Sequence, residues 1–196
     1  MDNHLRRPRT VLASSAAALL LLLSAQPAGA QSFSGAAAWS SAGATGIADE
    51  SSTSIVAFDN AGGVGIKLTA PAGSVAVLRF PVSFLPSLWN TGPLLELDHL
   101  KLTMTFRKPD DASYASATLK RVRVSDGAVS SMASVNTFGF LPAAAAQQSE
   151  RAINCGEDVV CINPYEYAFY VELVLWKPET TSDPRVVALR IHTSTN

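Results

Sequence analysis

The sequence predicts an all-β protein, an antiparallel, jelly-roll-like β-sandwich of about eight strands. Three observations carry this expectation. Short apolar or β-branched runs recur along the chain, separated by turn clusters such as DNAGG, APAG, KPDDAS, SDG and KPETTSDP. No alternation of strands with long amphipathic helices signals a parallel sheet. The run HLKLTMTFR, residues 99–107, alternates strictly, with Leu100, Leu102, Met104 and Phe106 on one face and polar side chains on the other. That period of two marks a strand with one buried and one wet face.

Residues 1–30 read as a cleaved signal peptide. Arg6, Arg7 and Arg9 form a basic start, Val11–Ala25 is an uncharged apolar run, and Ala28–Ala30 offers small side chains for cleavage. The run falls short of the roughly 20 residues needed to span a bilayer, so no stable membrane insertion is expected after cleavage. Removing this segment takes three arginines and Asp2, leaving 12 basic and 15 acidic side chains. A mildly acidic domain has no general attraction for nucleic acid. The expected location is secreted or periplasmic.

Residues 31–53 are rich in Ala, Ser and Gly and read as a flexible lead-in. Trp39 is the exception: it either plugs an edge of its own domain or belongs to a donor strand that adds to a neighbouring subunit. Oligomerisation is accordingly expected through 31–53. Residues 54–196 form the single sandwich domain.

Its strands follow in order. Residues 54–58 and 64–69 flank DNAGG, whose glycines suit a turn better than a nucleotide loop. Residues 74–84 form the next strand, in which Pro81 marks an edge, bulge or break. A loop over 85–93 carries Leu88 and Trp89, expected to fold back on the core. The strand 99–107 turns at KPDDAS and returns as 114–124, with a bulge expected near Lys120 or Arg121 because Leu119 and Val122 lie three apart. Asp126-Gly127 predicts a hairpin into 128–140. LPAAAAQQSERA, residues 141–152, is the one helix candidate, near 142–152, from its four alanines and early proline. Strands at 165–176 and 185–192 complete the series.

Cys155 and Cys161 are the only cysteines, and export to an oxidising compartment predicts that they pair as a disulfide at the entrance of the strand 165–176. In that strand Tyr165, Tyr167, Phe169, Val171, Leu173 and Leu175 share the expected core face. Tyr170 and Trp176 lie on the other, beside Glu166 and Glu172, and are the aromatic candidates for ligand binding. The second candidate is a positive patch of Lys120, Arg121 and Arg123, with Lys101, Arg107 and Lys108 placed to face it from a partner strand.

Catalytic patterns are absent from the sequence. There is no GxSxG, HExxH or SxxK set, and Asp98 and His99 are adjacent in a strand, so they point to opposite faces. Asp59, Asp110, Asp111 and Asp158 lie in loops where calcium would find oxygens, but turn aspartates far more often cap backbone N–H groups. No cofactor and no metal are expected. The runs TLKRVRVSDGAVSSMASV and YAFYVELVLWKPETTSDPRVVALRI look generically like exported bacterial β domains and point to no particular family. The expectation is an exported, non-catalytic protein with a structural or binding role at or outside the cell surface. Its rivals are a glycan-binding module using exposed aromatics, a fibre or assembly subunit, and a small hydrolase built on His99 or His192. The expected partner is a glycan or another surface protein.

Overall fold

A computed structural model describes residues 37–84, 100–154 and 162–193. Residues 1–30, expected to be a signal peptide, and His99, Leu88, Trp89 and Asp158 lie outside the described residues, as do Cys155 and Cys161.

The fold is an all-β antiparallel sandwich of two sheets with one 3-10 turn. Eleven strands are described: β1 (Ala37–Ala42), β2 (Ile47–Ala48), β3 (Val56–Phe58), β4 (Val64–Ile66), β5 (Ser74–Val82), β6 (Leu100–Lys108), β7 (Tyr114–Arg123), β8 (Val129–Asn136), β9 (Ala143–Ala152), β10 (Tyr167–Lys177) and β11 (Arg185–Thr193). The six-stranded sheet runs β3-β4-β11-β6-β9, with β1 also on β11; the five-stranded sheet runs β2-β5-β10-β7-β8. The eight expected strands are β3 to β8, β10 and β11. The three others come from the lead-in, as β1 and β2, and from the helix candidate, as β9.

The core is the set of inward faces that the alternation predicts. Leu100, Leu102, Met104 and Phe106 of β6 meet Val171, Leu173 and Leu175 of β10, all at most 1% exposed. Burying each such side chain stabilises the fold by about 1.5–3 kcal/mol. Pro81 sits inside β5 opposite Tyr170. On its other side β2 reaches only Leu78 and Arg79, so the proline has no second strand that would need its missing N–H. The bulge expected near Lys120 is present: the β7–β8 register shifts between Leu119 and Lys120. Gly127 takes φ 73° in the turn of that hairpin, a left-handed conformation that glycine adopts without strain.

Four expectations are corrected. Residues 143–152 form a strand, paired with β6 from Lys101↔Ala152 to Lys108↔Ala143. The open edge of β6 presents backbone donors and acceptors to be satisfied, and that outweighs the alanines' preference for a helix.

The lead-in is built into the domain from Ala37 on. β1 lies antiparallel to β11 of its own chain, and Trp39 packs against the core, half-buried. That is the edge-plug role.

KPDDAS does not fold β7 back beside β6. It carries the chain from one sheet to the other, since β6 pairs with β11 and β9 while β7 pairs with β10 and β8. Asp110 holds this corner, accepting the N–H of Ser113 at 2.6 Å and that of Asp183 at 3.2 Å.

The disulfide expected between Cys155 and Cys161 is withdrawn. Both fall outside the described residues, and no disulfide is present among those described. The entrance of β10 is instead held by Asn163: its Oδ1 accepts the N–H of Tyr165 at 3.0 Å and its carbonyl accepts that of Tyr167 at 2.9 Å. This turn delays the strand until Tyr167, which leaves Tyr165 outside the core, 92% exposed.

Candidate functional site

The outward face of the five-stranded sheet collects the side chains of interest, and strand register sets its layout. Along β10, the residues Ala168, Tyr170, Glu172, Val174 and Trp176 point away from the core, between buried neighbours. Opposite Trp176 stand Tyr114 of β7 and Val75 of β5; opposite Val174, Ser116 and Val77; opposite Glu172, Thr118 and Arg79; opposite Tyr170, Lys120 and Pro81. β8 extends two of these rows, with Asn136 beside Ser116 and Ser134 beside Thr118.

One end of this face is aromatic and apolar. Trp176 is 44% exposed and meets the Tyr114 ring edge-on, centroids 6.5 Å apart and planes at 71°. Exposed Val75 adjoins them. The other end is polar. Lys120 Nζ donates to Glu172 Oε1 at 2.6 Å, and Arg79 Nε stands 3.8 Å from Glu172 Oε2. Thr118 and Ser134 share a hydroxyl hydrogen bond of 3.1 Å. Tyr170 closes the row six positions from Trp176 along β10, about 20 Å at ordinary strand rise.

Of the sequence candidates, Tyr170, Trp176 and Lys120 are thus brought onto one face. The positive patch is divided. Arg121 and Arg123 alternate to the opposite side of β7, where Arg121 Cζ lies 4.6 Å over the Tyr167 ring. Its Nε donates to Ser130 Oγ at 3.0 Å. Arg123 pairs with Asp126 at 3.0 Å; a hydrogen bond with Tyr167, then Asp126, raises the Arg123 pKa above the usual guanidinium value. Lys101 and Lys108 belong to the other sheet, where Lys101 pairs with Glu150 at 2.7 Å and Lys108 donates to the Phe140 carbonyl. They do not face Lys120, because β6 and β7 belong to different sheets.

Tyr114, an aromatic for which the sequence offers no partner in strand register, joins the face, as do Arg79 and Glu172, which were not binding candidates. Tyr114 was legible only through the β7–β10 pairing, since nothing local distinguishes a tyrosine at a strand start.

A concavity of about 400 Å³ lies where β5 ends and β10 begins, lined by Val82, Phe84, Val124, Pro164, Tyr167 and Phe169 among others. Phe84 and Phe169 meet edge-on there at 5.1 Å.

His192 is buried: Nε2 lies 2.8 Å from Thr103 Oγ1 and Nδ1 3.0 Å from the Thr193 carbonyl. A carbonyl only accepts, so Nδ1 carries the proton and Nε2 accepts from the threonine. Two of the loop aspartates, Asp59 and Asp110, cap backbone N–H groups. Asp59 accepts the N–H groups of Gly63 and Ala61 at 2.7 and 2.9 Å, and the bond from Gly63 leads those that hold its carboxyl below the usual range. Burial pushes the Asp110 carboxyl up, but the bonds from Ser113 and the Asp183 N–H outweigh it and leave it lowered. Among the described residues no group of three or more His, Cys, Asp or Glu side chains is placed to hold a metal ion, and no helix is long and apolar enough to cross a membrane.

No protein-family model matches the chain, and no curated protein matches it. Solved structures similar to it include two carbohydrate-binding modules. One is a xylan-binding module, CBM15, 12% identical, covering 72% of this chain and 83% of that one with a TM-score of 0.40. The other is a family 11 carbohydrate-binding module from Clostridium thermocellum in complex with a β-1,3-1,4-mixed-linked tetrasaccharide, 9% identical, covering 81% and 89% with a TM-score of 0.38. At that identity and score the likeness says nothing of this chain's ligand.

Proposed function

We propose that the chain is an exported, non-catalytic binding protein whose ligand, an extended glycan, lies along the outward face of the five-stranded sheet. The observation that carries this reading is the Trp176–Tyr114 pair, an exposed tryptophan against a half-buried tyrosine on a regular sheet, continued by hydroxyl and amide side chains. A pyranose has an apolar face bounded by hydroxyls. It needs a rigid ring to rest on and hydrogen-bonding groups beside it, and aromatic rings with a wet edge supply the first. β10 is the central strand of its sheet, so the platform is held without a cost in ordering on binding. The extracellular setting rests on the basic-apolar-small pattern of residues 1–30.

The test is retardation of the protein in native gels containing soluble polysaccharides, set beside pull-down on insoluble ones. Retention on at least one glycan is expected, with Trp176→Ala lowering the affinity about tenfold or more, equivalent to about 1.4 kcal/mol, and Tyr114→Ala lowering it less. Absence of retention across plant, fungal and bacterial polysaccharides would overturn the reading, as would a Trp176→Ala variant that binds unchanged.

A further inference from the structure

Glu172 stands in the middle of the proposed glycan face, and its surroundings bear on which glycans the face accepts. Its carboxylate is enclosed by two cations, Lys120 at 2.6 Å and Arg79 at 3.8 Å, with the Glu172 side chain only 20% exposed against 52% for Arg79. The remaining neighbours across the sheet are uncharged: Thr118 and Ser134 in the same row, Val174, Val77, Ser116 and Asn136 in the next, and Tyr170 with Pro81 on the other side. At the rim, Asp49 follows β2, whose Ile47 and Ala48 pair with Arg79 and Leu78. The Asp49 carboxyl is held low first by hydrogen bonds from Ser52 and Ser51, and Arg79 adds to this through charge. Two cations and two carboxylates therefore balance in the central rows of this face, with the exposed Glu166 just before β10 adding a further negative charge.

We infer that Glu172 is a specificity-determining residue: by occupying Lys120 and Arg79 it fits the face to a neutral glycan and bars a uronate-bearing one. The inference rests on the glycan reading of the face and adds the charge class of the ligand. A sugar carboxylate approaching Arg79 or Lys120 would have to displace a carboxylate already 2.6 Å from the lysine and would be repelled by it meanwhile. A neutral sugar meets hydroxyls, an amide, rings and aliphatic side chains, and leaves the ion cluster intact. Selection against the wrong ligand by a charge already in place is a general route to specificity.

The experiment compares a soluble neutral β-glucan with polygalacturonate as probes, at low and at physiological ionic strength. It uses the unaltered protein, Glu172→Gln, and the double variant Glu172→Gln/Arg79→Gln. The unaltered protein is expected to bind the neutral probe with little dependence on salt and polygalacturonate at least about tenfold more weakly, the tenfold being about 1.4 kcal/mol. Glu172→Gln frees one positive charge and should bind polygalacturonate about tenfold more tightly at low salt, a gain that physiological salt reduces. The double variant removes that charge and should lose the gain. Thr118→Lys adds a positive charge while keeping Glu172, and gives the same gain should Glu172→Gln lower the melting temperature. Preference of the unaltered protein for polygalacturonate overturns the inference while sustaining the glycan reading. So does a well-folded Glu172→Gln or Thr118→Lys that gains nothing. Failure of every protein to bind either probe overturns the inference; the glycan reading falls with it only if the wider set of polysaccharides is not retained either.

Discussion

β10 and β9 are strands of similar length with opposite relations to their own sequence. Tyr167–Lys177 alternates apolar and mixed residues, and each apolar residue of the alternation is buried, from Tyr167 to Leu175. Ala143–Ala152 contains no large apolar residue and has the composition of a helix, yet it is extended along the whole of β6. β10 lies at the centre of its sheet and β9 at the edge of the other. A central strand must bury one face completely, which forces a visible period of two. An edge strand with little to bury is specified by the neighbour whose backbone it completes. Local pattern decides the first and tertiary pairing the second.

The largest expected effect breaks or supports that contrast directly. Leu173→Ala should cost about 2–5 kcal/mol, the range for truncating a buried leucine. Ser149→Ala, half-buried on β9 opposite Met104, should stay within about 0.5 kcal/mol, as surface substitutions do. Urea denaturation of both variants measures the difference, and equal losses would end the distinction.

A smaller effect belongs to the corner between the sheets. Asp110→Asn weakens the bonds to Ser113 and Asp183 and should cost about 1 kcal/mol at neutral pH. Because the folded Asp110 carboxyl is lowered, its contribution is complete above about pH 4, the range of an unfolded carboxyl. It disappears as pH falls through the folded value. The variant's stability should therefore fall less steeply than the parent's below about pH 4. Thermal melts at stepped pH would show this, and parallel curves would remove Asp110 from the account.

The smallest effect is that of β9 apart from its sheet. A synthetic peptide of residues 141–153 should show weak helicity by circular dichroism that rises in trifluoroethanol, because short alanine-rich segments are marginal helices in water. A peptide that is extended in both solvents would mean that β9 carries its own strand code after all.

How much of the site was legible follows the same division. Tyr170 and Trp176 were found because β10 displays its period openly, and Lys120 because charge marks it. Tyr114, Arg79 and Glu172 come onto the same face as Trp176 only when β5, β10 and β7 lie side by side, a pairing between positions about 50 and 90 residues apart in the chain that no local window contains. The division of Lys120 from Arg121 and Arg123 follows from pleating. The expected opposition of Lys101 and Lys108 to that patch failed because KPDDAS, a good hairpin signal, serves here as a crossing between sheets.

The sequence alone determined the all-β class, eight of the strands with the turn clusters between them, a bulge near Lys120 and the inward face of β10 from Tyr167 onward. Each of these follows from short-range periodicity and turn chemistry, which the chain cannot satisfy otherwise. The tertiary structure decided the strand identity of residues 143–152, the seating of β1 and β2 in the sheets, the sheet to which each strand belongs, and the assembly of Trp176, Tyr114, Glu172 and Arg79 on one face. Those depend on which backbone edges remain to be paired and which strands become neighbours. That is a matter of long-range contact, where alanine, serine and glycine take whatever conformation the surrounding sheet requires.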